Sequence, residues 1–339
     1  MIWCSDAEYV LCQHVDTVSS VTILIFGDVN LGRQLGQELL KGNLKYPFDR
    51  MQTLLRSADC VFANLESPIS DQHGETESPR SNYVFCAPPV AARVLRQGGV
   101  TIVSTANNHA LDYSLDGLRE TVQDLDTEGV LHVGTSADSV ARIAPTVVRR
   151  DGIRVGFLAY TQFVNAAGPW KGRLAIFDSI GAGKDIRRLK RKADIVVVSF
   201  HGGTEYSDKP DDRTQRQLEC LVRAGADIVV CHHPHVPQGI DTVHGSIIFY
   251  SLGNFVFNQT TPWAKRSFGV ELKMKKKGNA AFLSSVRLIP FRAYKQPATD
   301  LTPSDVDSLV SRVRALSNVS IVTRNDSIFV SLPHRDNSQ

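Results

Sequence analysis

No run of apolar residues in this chain approaches the length of a membrane span, so the sequence predicts no membrane anchor. Cysteine is sparse: Cys4, Cys12, Cys60, Cys86, Cys220 and Cys231 are the six among 339 residues, and none stands in the CxxC spacing of a zinc ribbon or dithiol redox site. They read as reduced thiols, which predicts a cytoplasmic protein. An excess of one charge is lacking too. The 38 basic residues face 35 acidic ones spread along the chain, a net charge of +3, which leaves no electrostatic footprint for nucleic acid. The one basic run, "KMKKKGN" at 273–279, ends on Gly-Asn and reads as a solvated hairpin tip. Residues 1–20 carry Asp6, Glu8, His14 and Asp16 and lack the basic start and apolar stretch of a signal peptide, so they read as a weakly specified extension.

What is present is a strong alternation of element types. Apolar, β-branched runs occur at 21–26, 59–64, 100–105, 153–160, 194–200, 227–231 and 245–251. Most are apolar on consecutive positions, as strands covered on both faces are. Amphipathic stretches such as "RQLGQELLK", "FDRMQTLLRSA", "PPVAARVLRQGG", "SLDGLRETVQDLDTEG" and "RTQRQLECLVRAGA" fall between them, with glycine stops at 98–99 and 129. Strand and helix in alternation predict a layered α/β fold. Beyond residue 239, "GIDTVHGSIIFYS" and "SFGVELKMKKKGNAAFLSSVRLIPF" read as hairpins, and the tail from 299 to 339 as a helix and two short strands appended to the core.

The polar residues gather where the strands stop. The first strand runs into Asp28, Asn30 and Arg33, the second into Asn64 and Glu66, and the third into Asn107, Asn108, His109 and Asp112. Two later strands run into His201 and Glu205, and into "CHHPHVPQG", which sets His232, His233 and His235 within four positions. In open α/β sheets these carboxyl ends form the ligand crevice. Taken singly, these residues have plain structural roles: Asp28 as a helix cap, Glu66 as a solvated carboxylate, Asn107 and Asn108 as turn formers, His201 as a rim residue. Taken together they do not, because carboxylates and imidazoles buried side by side are costly unless a divalent cation pairs them. His233 and His235, two apart in an extended segment, would point the same way, and His232 the other way in a structural role. Two carboxylates, an asparagine oxygen and three imidazoles exceed one tetrahedral site and suit two bridged Mn, Fe, Zn or Mg ions, which hold a hydroxide at neutral pH. His109, next to Asn108 and with Asp112 to orient it, fits a proton donor that stays off the metal.

The ordered set "GDVNLGR", "NLESP", "ANNHALDY", "HGGTEY", "HHPHVPQG" and "YSLGNFVF" resembles the CapA capsule-synthesis (poly-γ-glutamate biosynthesis) proteins, a branch of the calcineurin-like metallophosphoesterases, over residues 21–298. The resemblance implies a four-layer αββα sandwich of two mixed sheets flanked by helices. It also implies metal ligands at Asp28, Glu66, Asn108, His201, His233 and His235, with His109 as proton donor. Asn30, Arg33 and Glu205 are then expected to bind substrate, a small or polymeric anion. The chain departs from the pattern in two places. Asn30 stands where the wider superfamily has histidine, and Glu66 where it has the bridging aspartate. The first would leave one ion under-coordinated and the second, one methylene longer, would alter the metal spacing, so both count against full two-metal phosphatase activity. The expected activity is hydrolysis of a phosphoester or related anionic bond. The alternatives are a non-hydrolytic helper of capsule or poly-γ-glutamate synthesis, or cleavage of an amide or γ-glutamyl bond. The loops at 70–85 and 161–173, with Tyr83, Phe85, Phe163 and Trp170, are expected to shape the pocket, either stacking on a ring or packing its rim.

Overall fold

The computed structural model describes residues 19–332 except 80, 142 and 169. The N-terminal extension up to residue 18, with Cys4 and Cys12, and the tail beyond 332 lie outside the described residues.

Four strands and four helices come first. They are β1 (Ser19–Val29), α1 (Arg33–Leu40), α2 (Gln52–Leu55), β2 (Cys60–Leu65), α3 (Val90–Gly98), β3 (Ile102–Ser104), α4 (Ser114–Glu128) and β4 (Leu131–Val133). A second group follows: β5 (Thr146–Arg150), β6 (Ile153–Thr161), α5 (Ser179–Lys190), β7 (Ile195–His201), α6 (Asp212–Arg223), β8 (Ile228–His232), β9 (Ile240–Val243) and β10 (Ser246–Phe249). The chain then returns with β11 (Asn254–Val256), β12 (Arg266–Lys277), β13 (Ala280–Arg292), α7 (Pro303–Leu316), β14 (Ile321–Arg324) and β15 (Ser327–Val330).

Two mixed sheets result. One has the order β14-β15-β13-β12-β1-β2-β3-β4 with β11 beside β1, and the other the order β5-β6-β7-β8-β10-β9. The consecutive apolar positions of the inner strands have a direct cause: the two faces of each strand enter different cores. Along β1, Val21, Ile23 and Ile25 meet Ile195, Val197, Ile228 and Val230 of the other sheet, while Leu24 and Phe26 pack against α1 to α3. In the second sheet the complementary face of β7 and β8, Val196, Val198, Val229 and Cys231, packs against α5 and α6. Period-2 side-chain geometry thus assigns each strand to two cores, and the layers are helix, sheet, sheet, helix.

The tail beyond 299 enters the sheet and the central core: β15 pairs with β13, and Leu309, Val310 and Val313 of α7 are buried among the residues between the sheets. The basic run tops the β12–β13 hairpin, turning at Gly278 with φ +58°. Gly99 and Gly129 end α3 and α4 in the left-handed conformation. Among the described residues no helix is long and apolar enough to cross a membrane. Cys60, Cys86 and Cys231 are buried free thiols, and burial pushes Cys60 up to about 11 and Cys86 up to about 12, so they are packing groups rather than nucleophiles.

The sheets are clamped at their centre by Phe62 of β2 and Phe157 of β6, stacked with centroids 5.5 Å apart and planes within 7°. Both rings are fully buried. Phe62→Ala is expected to lower unfolding stability by about 3–5 kcal/mol, and Phe62→Leu by clearly less, as read from urea denaturation midpoints. Equal losses for the two would show that cavity volume at this seam does not govern stability.

Candidate functional site

The site forms where β1, β2, β3, β7 and β8 end. Asp28 lies opposite Asn64 of β2 and Asn254 of β11. This threefold approach depends on Gly27, since a Cβ there would lie 1.7 Å from the Gly253 carbonyl oxygen. Asn64 Nδ2 donates to Asp28 Oδ1 at 2.9 Å and lies 3.2 Å from His201 Nδ1. Asn254 Nδ2 donates to Gln259 Oε1 and the Ala264 carbonyl, which turns its Oδ1 toward His235 Nδ1 at 2.9 Å. His235 Nδ1 therefore carries the proton and Nε2 the free lone pair, 3.6 Å from Glu66 Oε1.

Glu66 follows β2, its amide donating to the Val29 carbonyl. It is fully buried, and among the described residues neither carboxylate oxygen has a hydrogen-bond partner. His201 Nε2 is 3.7 Å from Glu66 Oε1 and 2.7 Å from Asn108 Oδ1. Asn107, read as a turn former, braces the third loop: its Nδ2 donates to the Leu65 carbonyl and its Oδ1 accepts from the His109 amide.

Two expectations about the histidine run need correction. His233 and His235 do not converge by strand alternation, because β8 ends at His232 and their φ angles are +97° and +60°. Left-handed backbone at two non-glycine residues turns both rings inward, a conformation that costs about 1–3 kcal/mol each and clusters at functional sites. His232 does not point away from the cluster: its Nδ1 lies 3.4 Å from Asp28 Oδ1.

The buried charges set one another. Burial works against ionisation of Asp28, yet His232 and His235 outweigh it and hold that carboxyl well below its usual range. Burial, then the nearby charges of Asp28, Glu205 and Asp112, push Glu66 well above the usual carboxylate range. Burial also depresses His201 well below 6.5 and His233 to about 3, so both rings are neutral at physiological pH. Three sets of donor atoms lie within 4.8 Å of one another: Asp28, Glu66 and His235; Glu66, His201 and His233; and Glu205, His233 and His235. The unpartnered Glu66 oxygens and the unpartnered Nδ1 of His233, with hard carboxylate and borderline imidazole donors, fit divalent transition or Mg ions.

Beside this cluster His109 Nδ1 pairs with Asp112 Oδ2 at 2.7 Å, and the same oxygen accepts the Phe85 amide at 2.7 Å. The Phe85 ring stacks on His109 with centroids 4.0 Å apart, and the Arg33 guanidinium sits 4.5 Å from the same ring centre. Arg33, the first residue of α1, bonds the Asn82 carbonyl rather than a member of the cluster. Asn30 Oδ1 accepts the Gly32 amide at 2.9 Å, an arrangement that fixes the amide's orientation and leaves Nδ2, a donor, without a partner among the described residues. Glu205 is exposed at the rim. Of the loop aromatics, Phe163 meets His233 edge-on at 5.0 Å, Tyr83 is 76% exposed, and Trp170 lines a cavity of about 730 Å³ with Gln72, Glu75, Asp112 and Tyr113. A larger cavity of about 1450 Å³ opens among Ile195, Asp227, Lys275, Phe282 and Arg324, at the ends where the strands begin, far from the converging imidazoles.

Sequence reasoning gave no role to Asn254 or Asn64 and did not assign Phe85 to the His109–Asp112 pair. Asn254 lies within the quoted "YSLGNFVF", but only the β1–β11 pairing shows what it holds.

Fold and site together define a four-layer α/β sandwich with a carboxylate and imidazole cleft at its strand ends. Residues 22–259 match the family described as "Bacterial capsule synthesis protein PGA_cap". The chain is 30% identical to the PGA biosynthesis protein CapA of Bacillus subtilis, covering 83% of this chain and 74% of that one. It is 33% identical to the capsule biosynthesis protein CapA of Bacillus anthracis, over 77% of this chain and 65% of that one. A solved structure titled as the calcineurin-like phosphoesterase YfkN from Bacillus subtilis aligns with 88% of this chain and 97% of its own at 14% identity, with a TM-score of 0.49. The chain belongs to the CapA capsule-synthesis family.

The depressed His233 makes a pH prediction for the metal-free protein. Its imidazole titrates near 6.5 in the unfolded chain and about 3 when folded, so the unfolded state takes up the proton first. This contribution to stability is whole above 6.5 and is lost as pH falls toward 3. Denaturation in chelator at several pH values is expected to show stability declining over that window, and less steeply in His233→Gln. Identical slopes would refute the assignment.

Proposed function

We propose that this chain is a divalent-metal-dependent hydrolase acting on a phosphoester or related anionic bond. The observation that carries the reading is Glu66, a fully buried carboxylate with no hydrogen-bond partner among the described residues, set between Asp28, His201, His233 and His235. Asp28, Glu66 and His235 would hold one ion, and Glu66, Asn108, His201 and His233 the other. Such a pair supplies Lewis-acid activation of water and of the substrate's oxygens. The protein's own part is orientation and proton handling. Asp112 accepts from His109 Nδ1 and would stabilise the imidazolium, the form whose Nε2 proton the leaving oxygen needs, and Phe85 fixes the ring plane. Asn30 Nδ2 offers a neutral donor to an anionic oxygen. Arg33, engaged with Asn82 and Phe85, acts through that stack and adds positive potential near the site.

A second reading is favoured by one observation: the Asn30 oxygen accepts the Gly32 amide, which takes up one of its two lone pairs and weakens it as a donor to an ion. Under that reading the chain assists capsule or poly-γ-glutamate synthesis without turnover, in keeping with the printed names of the Bacillus relatives.

Elemental analysis and a panel of phosphomonoesters, phosphodiesters and a γ-glutamyl peptide separate the two. His235→Ala is expected to lose metal and turnover together. His109→Ala is expected to keep its metal and lose about 100-fold or more in kcat. Full metal content with no turnover on any substrate would select the second reading. A wild-type protein free of divalent metal after loading would overturn the hydrolase reading.

A further inference from the structure

Left-handed backbone at His233 and His235 persists only where the surrounding structure over-determines it. Part of that restraint comes from the end of α7, a helix that carries none of the strand-end motifs. Gly239 lies so close to it that a Cβ there would sit 1.8 Å from the Leu316 carbonyl oxygen. Just beyond, Ser317 Oγ accepts the Ile240 amide at 2.8 Å, and the Asn318 amide donates to the Ile240 carbonyl at 3.1 Å.

Arg312 of α7 reaches further in. Its Nε donates to the carbonyl of Pro237, two residues after His235, at 3.0 Å, and its Nη2 donates to Asp208 Oδ1 at 2.6 Å. The side chain is only 11% exposed, and the guanidinium carbon lies 4.5 Å from the centre of the Trp263 ring. Trp263 belongs to the turn Pro262–Lys265, whose Ala264 carbonyl accepts Asn254 Nδ2 at 3.2 Å. That bond is one of the two that turn Asn254 Oδ1 toward His235 Nδ1. One guanidinium therefore touches both supports of the His235 ring: the backbone that carries it, through Pro237, and the turn that fixes its tautomer, through Trp263. A planar fork can bond along its edge while its face stacks, which an ammonium cannot do. Arg314, two positions on, makes the same kind of bonds elsewhere: Nε to the Ile321 carbonyl at 3.0 Å and Nη2 to Thr323 Oγ1 at 3.2 Å. Both partners belong to β14, at the edge of the first sheet.

We propose that Arg312 is a positioning residue for His235, holding the imidazole in the orientation and tautomer that leave Nε2 facing Glu66. Its effect on an ion rests on the metal-dependent reading above, whereas its effect on the ring is measurable without one.

Nitrogen NMR of histidine-labelled, metal-free protein, with calorimetric titration by Mn²⁺ alone, tests the assignment. In wild type the His235 ring, identified by the signal that His235→Gln loses, is expected to be protonated at Nδ1. Arg312→Gln is expected to shift or broaden that signal and to bind one ion about tenfold or more weakly, as loss of an outer-shell support does. Arg314→Gln is the matched control, expected to lower the urea midpoint while leaving ring signal and Mn²⁺ affinity at wild type, which separates positioning from a general loosening of α7. Arg312→Lys keeps the charge without the fork and is expected to fall between wild type and Arg312→Gln; it carries the test should Arg312→Gln not fold. An Arg312 variant with an unchanged ring signal, or with unchanged affinity where wild type binds the ion, overturns the proposal, as do equal effects in Arg314→Gln. If wild type binds no Mn²⁺, the metal-dependent reading fails, and the ring signal alone decides the positioning role.

Discussion

The rest of the structure is organised around one electrostatic constraint: Glu66 and Asp28 are both buried at the same strand ends, and no lysine or arginine is shown pairing with either among the described residues. Like charges this close do not both ionise in a low-dielectric setting, and the protein alone resolves the conflict unevenly, with Asp28 ionised beside two imidazoles and Glu66 pushed toward its protonated form. An unsatisfied buried polar group costs about 1–3 kcal/mol, and the left-handed backbone at His233 and His235 adds about as much again for each. A cation between the carboxylates would remove the repulsion, give the Glu66 oxygens partners, and stabilise the folded state in proportion to its occupancy.

Holding such an arrangement demands a stiff frame, and the sandwich supplies one through backbone approach more than through side-chain reach. Gly27 lets β1 press against the Gly253 carbonyl, which places Asn254 beside Asp28 and allows its amide to fix the His235 tautomer. Asn64, from the strand on the other side, holds Asp28 and lies against His201 of the opposite sheet. Strand register in the first sheet thus sets the orientation of imidazoles carried by the second. The three hydrophobic layers keep that register, since a slip of one residue along β1 would exchange Ile23 and Leu24 between cores.

Much of this is legible in the sequence, and the exceptions have physical causes. Each buried strand is a consecutive apolar run because both its faces are covered, so the runs at 21–26, 153–160 and 194–200 mark β1, β6 and β7 directly. Helix α5 is not legible in the same way: "SIGAGKDIRRLK" carries two glycines and buries mainly Ala182, Ile186 and Leu189, and its start depends on Asp178 capping the Gly181 amide. The short β4 and β5 expose much of their surface and lack an apolar run. Within the site, residue types at strand ends identified the carboxylates and imidazoles. They gave no sign that His233 and His235 converge by positive φ, because a β-turn-like excursion at histidine has no local sequence signature beyond the intervening Pro234. Asn254 was hidden for a topological reason, since its value lies in a parallel pairing with residues some 226 positions earlier, Asp28 against Asn254.

The His109 side of the site is built on the loop at 70–85. Phe85 closes the loop at 70–85, and its two functions are separable in the structure. The backbone amide holds Asp112 Oδ2, the same atom that holds His109 Nδ1, so the loop's main chain helps to fix the tautomer. The ring covers His109 on one face and takes the Arg33 guanidinium against the same π-system, tying α1 to the third strand's loop. Because Arg33 also bonds the Asn82 carbonyl, this loop is anchored at both the ring and the backbone. The loop at 70–85 thus sets the plane of the His109 ring and the partner of its Nδ1.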